Sequence, residues 1–269
     1  MDWGTYTTLA VEADGPALVV TVDRPQAMNA LAGQVVDDLL ALTGVLAGIG
    51  RDGDWPVRGM ILTGAGAKAF VAGADIREMS AMGADEAEAY ARRMHQVTLR
   101  LEALPVPVVA AVNGFALGGG CELAMACDFI YASANASFGQ PEVNLGLVPG
   151  FGGSVRLQQR VGVGQARELI YTGRRVPADE ALRIGLANAV FPDAEALMAA
   201  AKATVAEIAT KAPTAVANAK SALNGIYGLD VEAGLELEAR SFHEAFTTED
   251  SVAGRAAFLA KETPVFPGR

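Results

Sequence analysis

Two glutamates, Glu122 and Glu142, stand in a glycine-rich segment of mostly small and apolar residues at positions 113–153. An acidic side chain in an apolar setting costs free energy unless it is paired or has a chemical role. Two neighbouring carboxyls raise the pKa of at least one of them, so one can act as an acid and the other as a base. If the fold brings them together, we expect this pair to hold one water molecule. The structural alternatives are a helix-dipole partner for Glu122 and a solvated loop acid for Glu142.

Three consecutive glycines, 118–120, follow an apolar run at 106–112 that has the pattern of a buried strand. A helix is predicted to begin within these glycines and to carry Glu122 in its first turn, so their N–H groups lack acceptors inside the helix. Such amides suit the negative charge that develops on a carbonyl oxygen. Ala74 precedes a second predicted helix start, so the two turns together predict an oxyanion hole for a thioester or similar carbonyl.

Other chemistries find little support in the sequence. No GxSxG nucleophile elbow and no GxxxxGK[ST] phosphate loop occur. His95 and His243 have no catalytic pattern beside them and cannot alone form a three-histidine zinc site, so both are predicted to be structural or surface residues. Cys121 and Cys127 fit neither a zinc site nor a redox pair and are predicted to be small buried hydrophobes. We therefore expect no metal and no redox cofactor.

A glycine pattern at 64–69, GxGxxA after a predicted strand, also fits a dinucleotide-binding turn. That fingerprint should open a helix at once. Here small residues continue through Gly73 and Ala74, and a helix capped by Asp75 is the better prediction. Binding of a nicotinamide cofactor is therefore not expected.

The composition indicates what kind of protein this is, which partners it can bind and where it is located. The chain has 269 residues, of which 51% are hydrophobic and 19% charged, which is typical of a globular protein. Its net charge of −10, without any large basic cluster, argues against nucleic acid as a partner. No apolar run is long enough to predict a membrane span, and the first residues lack the features of a signal or transit peptide. The chain is therefore expected to be either cytosolic or already trimmed, and of the two we predict a cytoplasmic protein.

The predicted elements alternate between strand and helix along most of the chain, which indicates an α/β fold. Strands are predicted at 5–12, 17–23, 57–63, 106–112, 128–132 and 188–191, and helices at 31–46, 84–103 and from Gly119 and Gly153, with Asn29 as the cap of the first helix and a loop at 139–149. The last part of the chain is helical, at 194–211, 213–226, 229–246 and 248–260. Its apolar residues, Leu223, Ile226, Phe242, Phe246 and Phe258 among them, predict docking or oligomerisation.

Three segments of the sequence resemble the enoyl-CoA hydratase/isomerase (crotonase) family, and the likeness covers nearly the whole chain. They are RPQAMNAL at 24–31, AFVAGADI at 69–76, and NGFALGGGCE at 113–122, which continues to FGQPE at 138–142. The resemblance implies a spiral of ββα units in residues 1–195 and a helical trimerisation region in residues 196–269. It also implies a homotrimer or a dimer of trimers.

The resemblance also implies roles for individual residues. The amides of Ala74 and Gly119 would form the oxyanion hole, and Glu122 and Glu142 would be the catalytic acids, as in the hydratases. The implied contacts to the substrate and its coenzyme A are Ala27, Met28, Ala72, Asp75, Ile76, Arg77 and Gly150, with Phe242 and Lys261 from a neighbouring subunit. Coenzyme A would enter as part of the substrate, and no separate cofactor is implied.

The predicted function is therefore that of a trans-2-enoyl-CoA hydratase of fatty acid or related acyl-CoA metabolism, such as β-oxidation. Three other functions remain as alternatives to the hydratase. One is a Δ3,Δ2-enoyl-CoA isomerase or another crotonase-type lyase, which keeps the oxyanion hole. A second is a non-catalytic or RNA-binding relative, and the third is a nicotinamide oxidoreductase.

Overall fold

Pairs of strands followed by helices repeat along most of the chain, which a computed structural model describes over residues 1–269. The strands are β1 (Leu9–Asp14), β2 (Ala17–Val22), β3 (Gly59–Gly64), β4 (Ala69–Val71), β5 (Val108–Val112), β6 (Phe115–Leu117), β7 (Phe129–Ser133), β8 (Ser137–Gly139), β9 (Val176–Pro177) and β10 (Ala189–Phe191). The helices are α1 (Gly33–Leu46), α2 (Ile76–Met79), α3 (Ala84–Ala103), α4 (Gly119–Met125), α5 (Gly153–Val161), α6 (Val163–Thr172), α7 (Ala178–Arg183), α8 (Ala194–Ala209), α9 (Pro213–Ile226), α10 (Val231–Thr247) and α11 (Glu249–Ala260). Short 3₁₀ turns lie at Pro25–Ala27, Arg51–Gly53 and Glu142–Leu145.

From β3 onward the two strands of each pair belong to different sheets, whereas β1 and β2 both lie in the large sheet. The large sheet has six strands in the order β1-β2-β3-β5-β7-β10, and the small sheet has four in the order β4-β6-β8-β9. Neighbouring strands are parallel except for the antiparallel pairs β1–β2 and β8–β9. Each repeat therefore advances one step along both sheets, which is the spiral of ββα units that the resemblance implied.

Both faces of the large sheet are covered at its central strands, so β3 and β5 carry apolar residues without a polar face. All residues of β3 are buried. Met60 and Leu62 point into the main core, whereas Ile61 points to the other face and packs with Ala201 and Val205 of α8. Helix α8 thus closes the outer face of the sheet. The domain division predicted at residue 195 falls inside this helix and stays a prediction.

Most of the predicted long elements are present, and two local predictions need correction. The β1–β2 hairpin is confirmed, and α3 has the predicted bounds of 84–103. The segment predicted as a loop at 139–149 begins with the last residue of β8 and contains a 3₁₀ turn. Glycine 64 ends β3 without opening a helix, which agrees with the rejection of the dinucleotide-binding turn.

Asn29 does not cap α1, and this prediction was wrong. The helix begins at Gly33 with Ala32 as its N-cap residue. Asn29 is fully buried with a φ of 58°, and its Oδ1 accepts the Arg24 N–H. Its Nδ2 donates to the carbonyls of Ala65 and Ala69 at 3.0 and 2.9 Å. The side chain therefore joins the 24–30 loop to β4, because the tertiary contacts use the polar atoms that a cap would need.

Helices α9, α10 and α11 pack mainly on one another and leave many large apolar side chains exposed. These include Leu223, Leu235, Phe242, Phe246, Phe258 and Leu259, of which Phe258 is 83% exposed. A single chain therefore does not bury the apolar faces of its C-terminal helices. None of the helices combines the length and the hydropathy that a bilayer crossing requires.

A buried lysine attaches α9 to the core. Lys220 Nζ donates to the carbonyls of Leu101 and Val106, each at 3.0 Å, and to Asp128 Oδ2 at 2.8 Å. The side chain of Lys220 is only 6% exposed. Because the ammonium is surrounded by three acceptors, its burial is compensated.

We expect Lys220→Met to lower the free energy of unfolding by about 2 kcal/mol, the scale of hydrogen bonds to a charged group. The measurement is urea unfolding followed by circular dichroism. The matched control is Lys202→Met, since Lys202 pairs with Asp14 on the surface and such pairs contribute at most about 1 kcal/mol. Equal losses in the two variants would contradict the attachment role.

Candidate active site

The Ala74 amide is held in a fixed direction by a short bridge to Leu31. The Leu31 N–H donates to the Gly73 carbonyl and the Asp75 N–H donates to the Leu31 carbonyl, both at 2.8 Å. The Gly73 carbonyl and the Ala74 N–H belong to one trans peptide, so they point in opposite directions. The Ala74 N–H therefore points away from Leu31, and it donates to no group of the protein. It is available for a ligand oxygen.

The Gly119 amide is oriented in the same way by the first turn of α4. Gly118 has φ 49° and ψ −124°, a conformation that is essentially restricted to glycine. Its carbonyl accepts the first helical hydrogen bond from the Glu122 N–H at 3.0 Å. The N–H of Gly119 lies in the same peptide and points the opposite way, with no acceptor inside the helix.

The two turns lie against each other. A β-carbon placed on Gly118 would be 4.0 Å from Gly73 Cα and 3.0 Å from Glu142 Oε1. A β-carbon on Gly120 would lie 1.8 Å from the Val71 carbonyl oxygen, so only glycine lets α4 approach β4 this closely. The fold therefore brings the Ala74 turn, the Gly119 turn and the Glu142 carboxyl to one place.

Glu122 is a buried carboxyl with two backbone donors. It is 1% exposed, and its Oε1 accepts the N–H groups of Phe151 and Gly153 at 2.8 and 2.7 Å. Burial raises the pKa of Glu122, while these two hydrogen bonds and the charge of Arg156 act in the opposite direction. The carboxyl thus has preorganised partners for its ionised form.

Glu142 begins the 3₁₀ turn after β8 and is half-buried, not a freely solvated loop acid. Burial raises its pKa from 4.5 to about 7, and the charge of Glu122 acts in the same direction. A carboxyl with this pKa is partly protonated at neutral pH and can donate or accept a proton. The two glutamates thus have the different environments that acid–base chemistry needs.

Gln140 is a site residue that the sequence analysis missed. It is 1% exposed, and with its amide nitrogen turned toward Glu142 that nitrogen lies 3.0 and 3.3 Å from the two carboxylate oxygens. A β-carbon on Gly153 would lie 2.7 Å from this same end of the Gln140 amide and 2.8 Å from Glu122 Oε1. Gln140 therefore lies beside both carboxyls. Its proximity in sequence to Glu142 was the available signal.

Tyr90, Phe151 and Arg156 also surround the site and carried no local sequence signal. Arg156 Nε donates to Glu102 Oε1 at 2.6 Å, which links α5 to α3. Tyr90 and Phe151 pack edge to face with ring centroids 5.2 Å apart. Tyr90 lies on α3, whereas Phe151 and Arg156 lie in or just before α5, so only the fold brings these two segments together near Glu122.

The predicted contacts to the acyl-CoA fall into three places. Residues 27, 28, 72 and 75–77 lie together, because the Ala72 N–H donates to the Met28 carbonyl and Asp75 pairs with Arg24 at 3.1 Å. Asp75 also accepts the Arg77 N–H and caps α2, as predicted. Gly150 lies in the loop before Phe151, and its carbonyl contacts His95 Nε2 at 2.8 Å.

Phe242 and Lys261 lie in the third place, on α10 and at the end of α11. Both side chains are exposed, and Phe242 packs on Phe246 of its own helix. Helices α10 and α11 pack mainly on α9 and on each other. One chain therefore does not bring these two residues to the oxyanion amides, and their roles stay predictions.

The two cysteines and two histidines lie where the sequence analysis predicted structural or surface residues. Cys121 and Cys127 are buried and unpaired, and burial raises the pKa of both thiols. His95 and His243 are both exposed. No cluster of three or more histidine, cysteine or acidic side chains is arranged to hold a metal ion.

Two unpartnered amides beside a pair of carboxyls, on a spiral of ββα units, form the arrangement that an acid–base enzyme acting on a carbonyl compound needs. A family model described as Enoyl-CoA hydratase/isomerase matches residues 12–269. The chain belongs to the enoyl-CoA hydratase/isomerase family, as the three segments had predicted.

Individual relatives extend over nearly the full chain. The short-chain-enoyl-CoA hydratase of Clostridium acetobutylicum is 47% identical and covers 93% of this chain and 94% of its own. The crotonyl-CoA hydratase of Syntrophomonas wolfei is 43% identical, with coverages of 97% and 98%. The crystal structure of an enoyl-CoA hydratase from Bacillus anthracis matches with a TM-score of 0.92 at 36% identity, covering 98% of this chain and 100% of that one. These matches confirm the predicted fold.

Proposed function

We propose that this protein is an enoyl-CoA hydratase that adds water reversibly, in the syn sense, across the 2,3 double bond of a trans-2-enoyl-CoA. The observation that carries the proposal is the presence of both Glu122 and Glu142 beside the two free amides. An isomerisation needs only one group to move a proton, whereas hydration uses one carboxyl for the water and one for the α-carbon. The names of the relatives from Clostridium acetobutylicum and Syntrophomonas wolfei agree with this choice.

The proposed mechanism begins with polarisation of the thioester. Its carbonyl oxygen accepts the N–H groups of Ala74 and Gly119, which draw electrons from the conjugated bond and make the β-carbon electrophilic. One such donor typically contributes a factor of about 10²–10³ in rate. Because both peptides are already held by internal hydrogen bonds, the amides need no reorganisation when negative charge develops.

The two carboxyls then handle the two protons of the reaction. Ionised Glu122 takes a proton from the water as its oxygen bonds to the β-carbon, and protonated Glu142 gives its proton to the α-carbon of the resulting enolate. The pair holds one proton before and after the step, so the atoms balance without a metal or redox cofactor. The coupled pair shares its protons, so the roles follow from environment: Glu122 has two amide donors for its charge and Glu142 has the pKa near neutrality.

We expect kcat/KM to follow a bell-shaped pH profile whose basic limb lies near pH 7, the pKa of Glu142. Above that pH the pair loses its last proton, and well below it Glu122 takes up a second one. Because hydration neither releases nor consumes a proton, the profile must be the same for hydration and dehydration. Initial rates in both directions over about pH 5 to 9 test this, and a profile without a basic limb would contradict it.

The function is tested by following the loss of the conjugated thioester absorbance with crotonyl-CoA and with a panel of longer and branched 2-enoyl-CoA esters. The matched comparison is a set of 3-enoyl-CoA esters. Faster turnover of the 3-enoyl substrates would favour the Δ3,Δ2-isomerase. Absence of turnover with every acyl-CoA, together with a salt-sensitive gel shift of RNA, would favour a non-catalytic RNA-binding relative.

The proposed assembly is a homotrimer or a dimer of trimers in the cytoplasm, acting in fatty acid or related acyl-CoA metabolism such as β-oxidation. The exposed apolar side chains of α9–α11 support oligomerisation, since a monomer would leave Phe258 and Leu259 more than 80% exposed. In this assembly a neighbour would supply Phe242 and Lys261 to the coenzyme A. Sedimentation velocity measures the mass, and a monomer at micromolar concentration would contradict the assembly.

A further inference from the structure

Tyr90 makes a buried hydrogen bond to Leu31, the residue whose backbone holds the Ala74 peptide in place. The residue lies in the second turn of α3 and is 6% exposed. Its hydroxyl donates to the Leu31 carbonyl at 2.7 Å. Burial raises the pKa of Tyr90, so the hydroxyl stays protonated and keeps its donor role at physiological pH.

Apart from the Tyr90 bond, the Leu31 N–H and carbonyl make only two hydrogen bonds. Leu31 and Ala74 form an isolated parallel bridge outside both sheets. Its two hydrogen bonds join the Leu31 N–H to Gly73 and the Leu31 carbonyl to Asp75. The direction of the free Ala74 N–H follows from this bridge, and Tyr90 is the side chain that fixes the bridge from the helical layer.

The ring of Tyr90 also reaches the other half of the site. It packs edge to face on Phe151, with the ring planes at 80°. The Phe151 N–H donates to Glu122 Oε1. The Phe151 ring and the Leu31 side chain also meet at Gly119, where a β-carbon would lie 2.6 and 3.0 Å from them. Tyr90 therefore contacts Leu31 and Phe151, the two residues that pack against or hydrogen-bond to the Ala74 turn, the Gly119 turn and Glu122.

We propose that Tyr90 is a positioning residue that sets the direction of the Ala74 amide relative to Gly119 and Glu122. It acts through Leu31 and Phe151 and does not touch the substrate. This inference rests on the proposed function, since it assigns Tyr90 a part in polarising the thioester. Without the Tyr90 hydroxyl, the Leu31 carbonyl loses its hydrogen bond from α3 and the Leu31–Ala74 bridge is held less firmly. The Ala74 amide is then less well aligned with the developing oxyanion.

Tyr90→Phe tests the proposal because it keeps the ring and removes only the hydroxyl. We expect kcat for crotonyl-CoA to fall about 3- to 10-fold, the factor that one hydrogen bond of ordinary net strength supplies, with little change in KM. A second readout is the absorption maximum of a bound aryl-conjugated enoyl-CoA with an electron-donating substituent. Such a maximum moves to longer wavelength as the carbonyl is polarised, and the shift should be smaller in the variant.

The matched control is Thr98→Val on the same helix. Thr98 is fully buried and its hydroxyl donates to the His95 carbonyl of α3 itself at 2.9 Å, so this variant also removes a buried hydroxyl. We expect it to leave kcat and the spectral shift unchanged. Phe151→Leu gives a second test: it keeps the amide to Glu122 but removes the ring contact, and it should also reduce the spectral shift.

The outcomes separate the two proposals. Wild-type kcat and spectral shift in Tyr90→Phe, or equal losses in Tyr90→Phe and Thr98→Val, would overturn the role of Tyr90. A wild-type protein that binds the aryl-conjugated ester but hydrates no enoyl-CoA would overturn the proposed function instead. The spectral shift would then still decide the role of Tyr90, since it reports carbonyl polarisation without turnover.

Discussion

Replacing Glu142 with glutamine is expected to lower kcat for crotonyl-CoA hydration by about 10²–10⁴-fold, the usual contribution of a general acid or base. Glutamine has nearly the same shape but cannot give a proton to the α-carbon. The oxyanion amides and the Glu122 contacts remain, so binding of an acyl-CoA should stay measurable by isothermal titration calorimetry. Turnover close to that of the wild type would refute the assignment of Glu142 as an acid.

The stability of the same variant provides an independent check. The pKa of Glu142 is raised to about 7 from 4.5, so between these values the folded protein binds more protons than the unfolded chain. Stability from this group is therefore present at low pH and is lost as the pH rises through this window. Glu142→Gln should remove this decrease, so the variant's melting temperature should fall less than that of the wild type between about pH 5 and about pH 8. Glu88→Gln is the control, since Glu88 pairs with Arg92 on the surface of α3.

The second large effect is expected for Glu122→Gln, again about 10²–10⁴-fold in kcat, because the attacking water loses its base. The amide oxygen of glutamine can still accept the N–H groups of Phe151 and Gly153, so the loop before α5 should keep its structure. Stopped-flow or steady-state hydration of crotonyl-CoA gives the rate, and thermal unfolding checks the fold.

The double variant Glu122→Gln, Glu142→Gln shows whether the carboxyls act as a unit. When two residues act together in catalysis, replacing both lowers kcat little more than replacing one of them does. We therefore expect the double variant to be about as slow as either single variant. If Glu122→Gln kept wild-type hydration of crotonyl-CoA while Glu142→Gln lost it, a single carboxyl would be sufficient for hydration, and the assignment of Glu122 as the base would be refuted.

The long helices and core strands were predictable because their patterns are local. Helix α3 carries an apolar period over 84–103, and β5 is a buried apolar run. The strands β4, β6 and β8 were not predicted. Each has only three residues, too few for a period, and each exists because it pairs with its neighbours in the small sheet. Spatial pairing, not local propensity, decides such elements.

The sequence by itself determined which residues could do the chemistry. The glycines at 118–120, the helix start after Ala74, and two acids in an apolar context were visible as local patterns, and together they carried the family resemblance. Those features are properties of short segments: backbone freedom, unpaired amides and the cost of an isolated charge.

Only the tertiary structure decided how these groups face one another. The direction of the Ala74 amide depends on Leu31, and the partners of Glu122 come from 151–153. Only the fold brings Gln140 and Tyr90 to the candidate site, and Asn29 is a buried link from the 24–30 loop to β4 instead of a helix cap. Each of these facts arises from contacts between residues far apart in the chain, which packing and hydrogen-bond satisfaction select and no local pattern encodes.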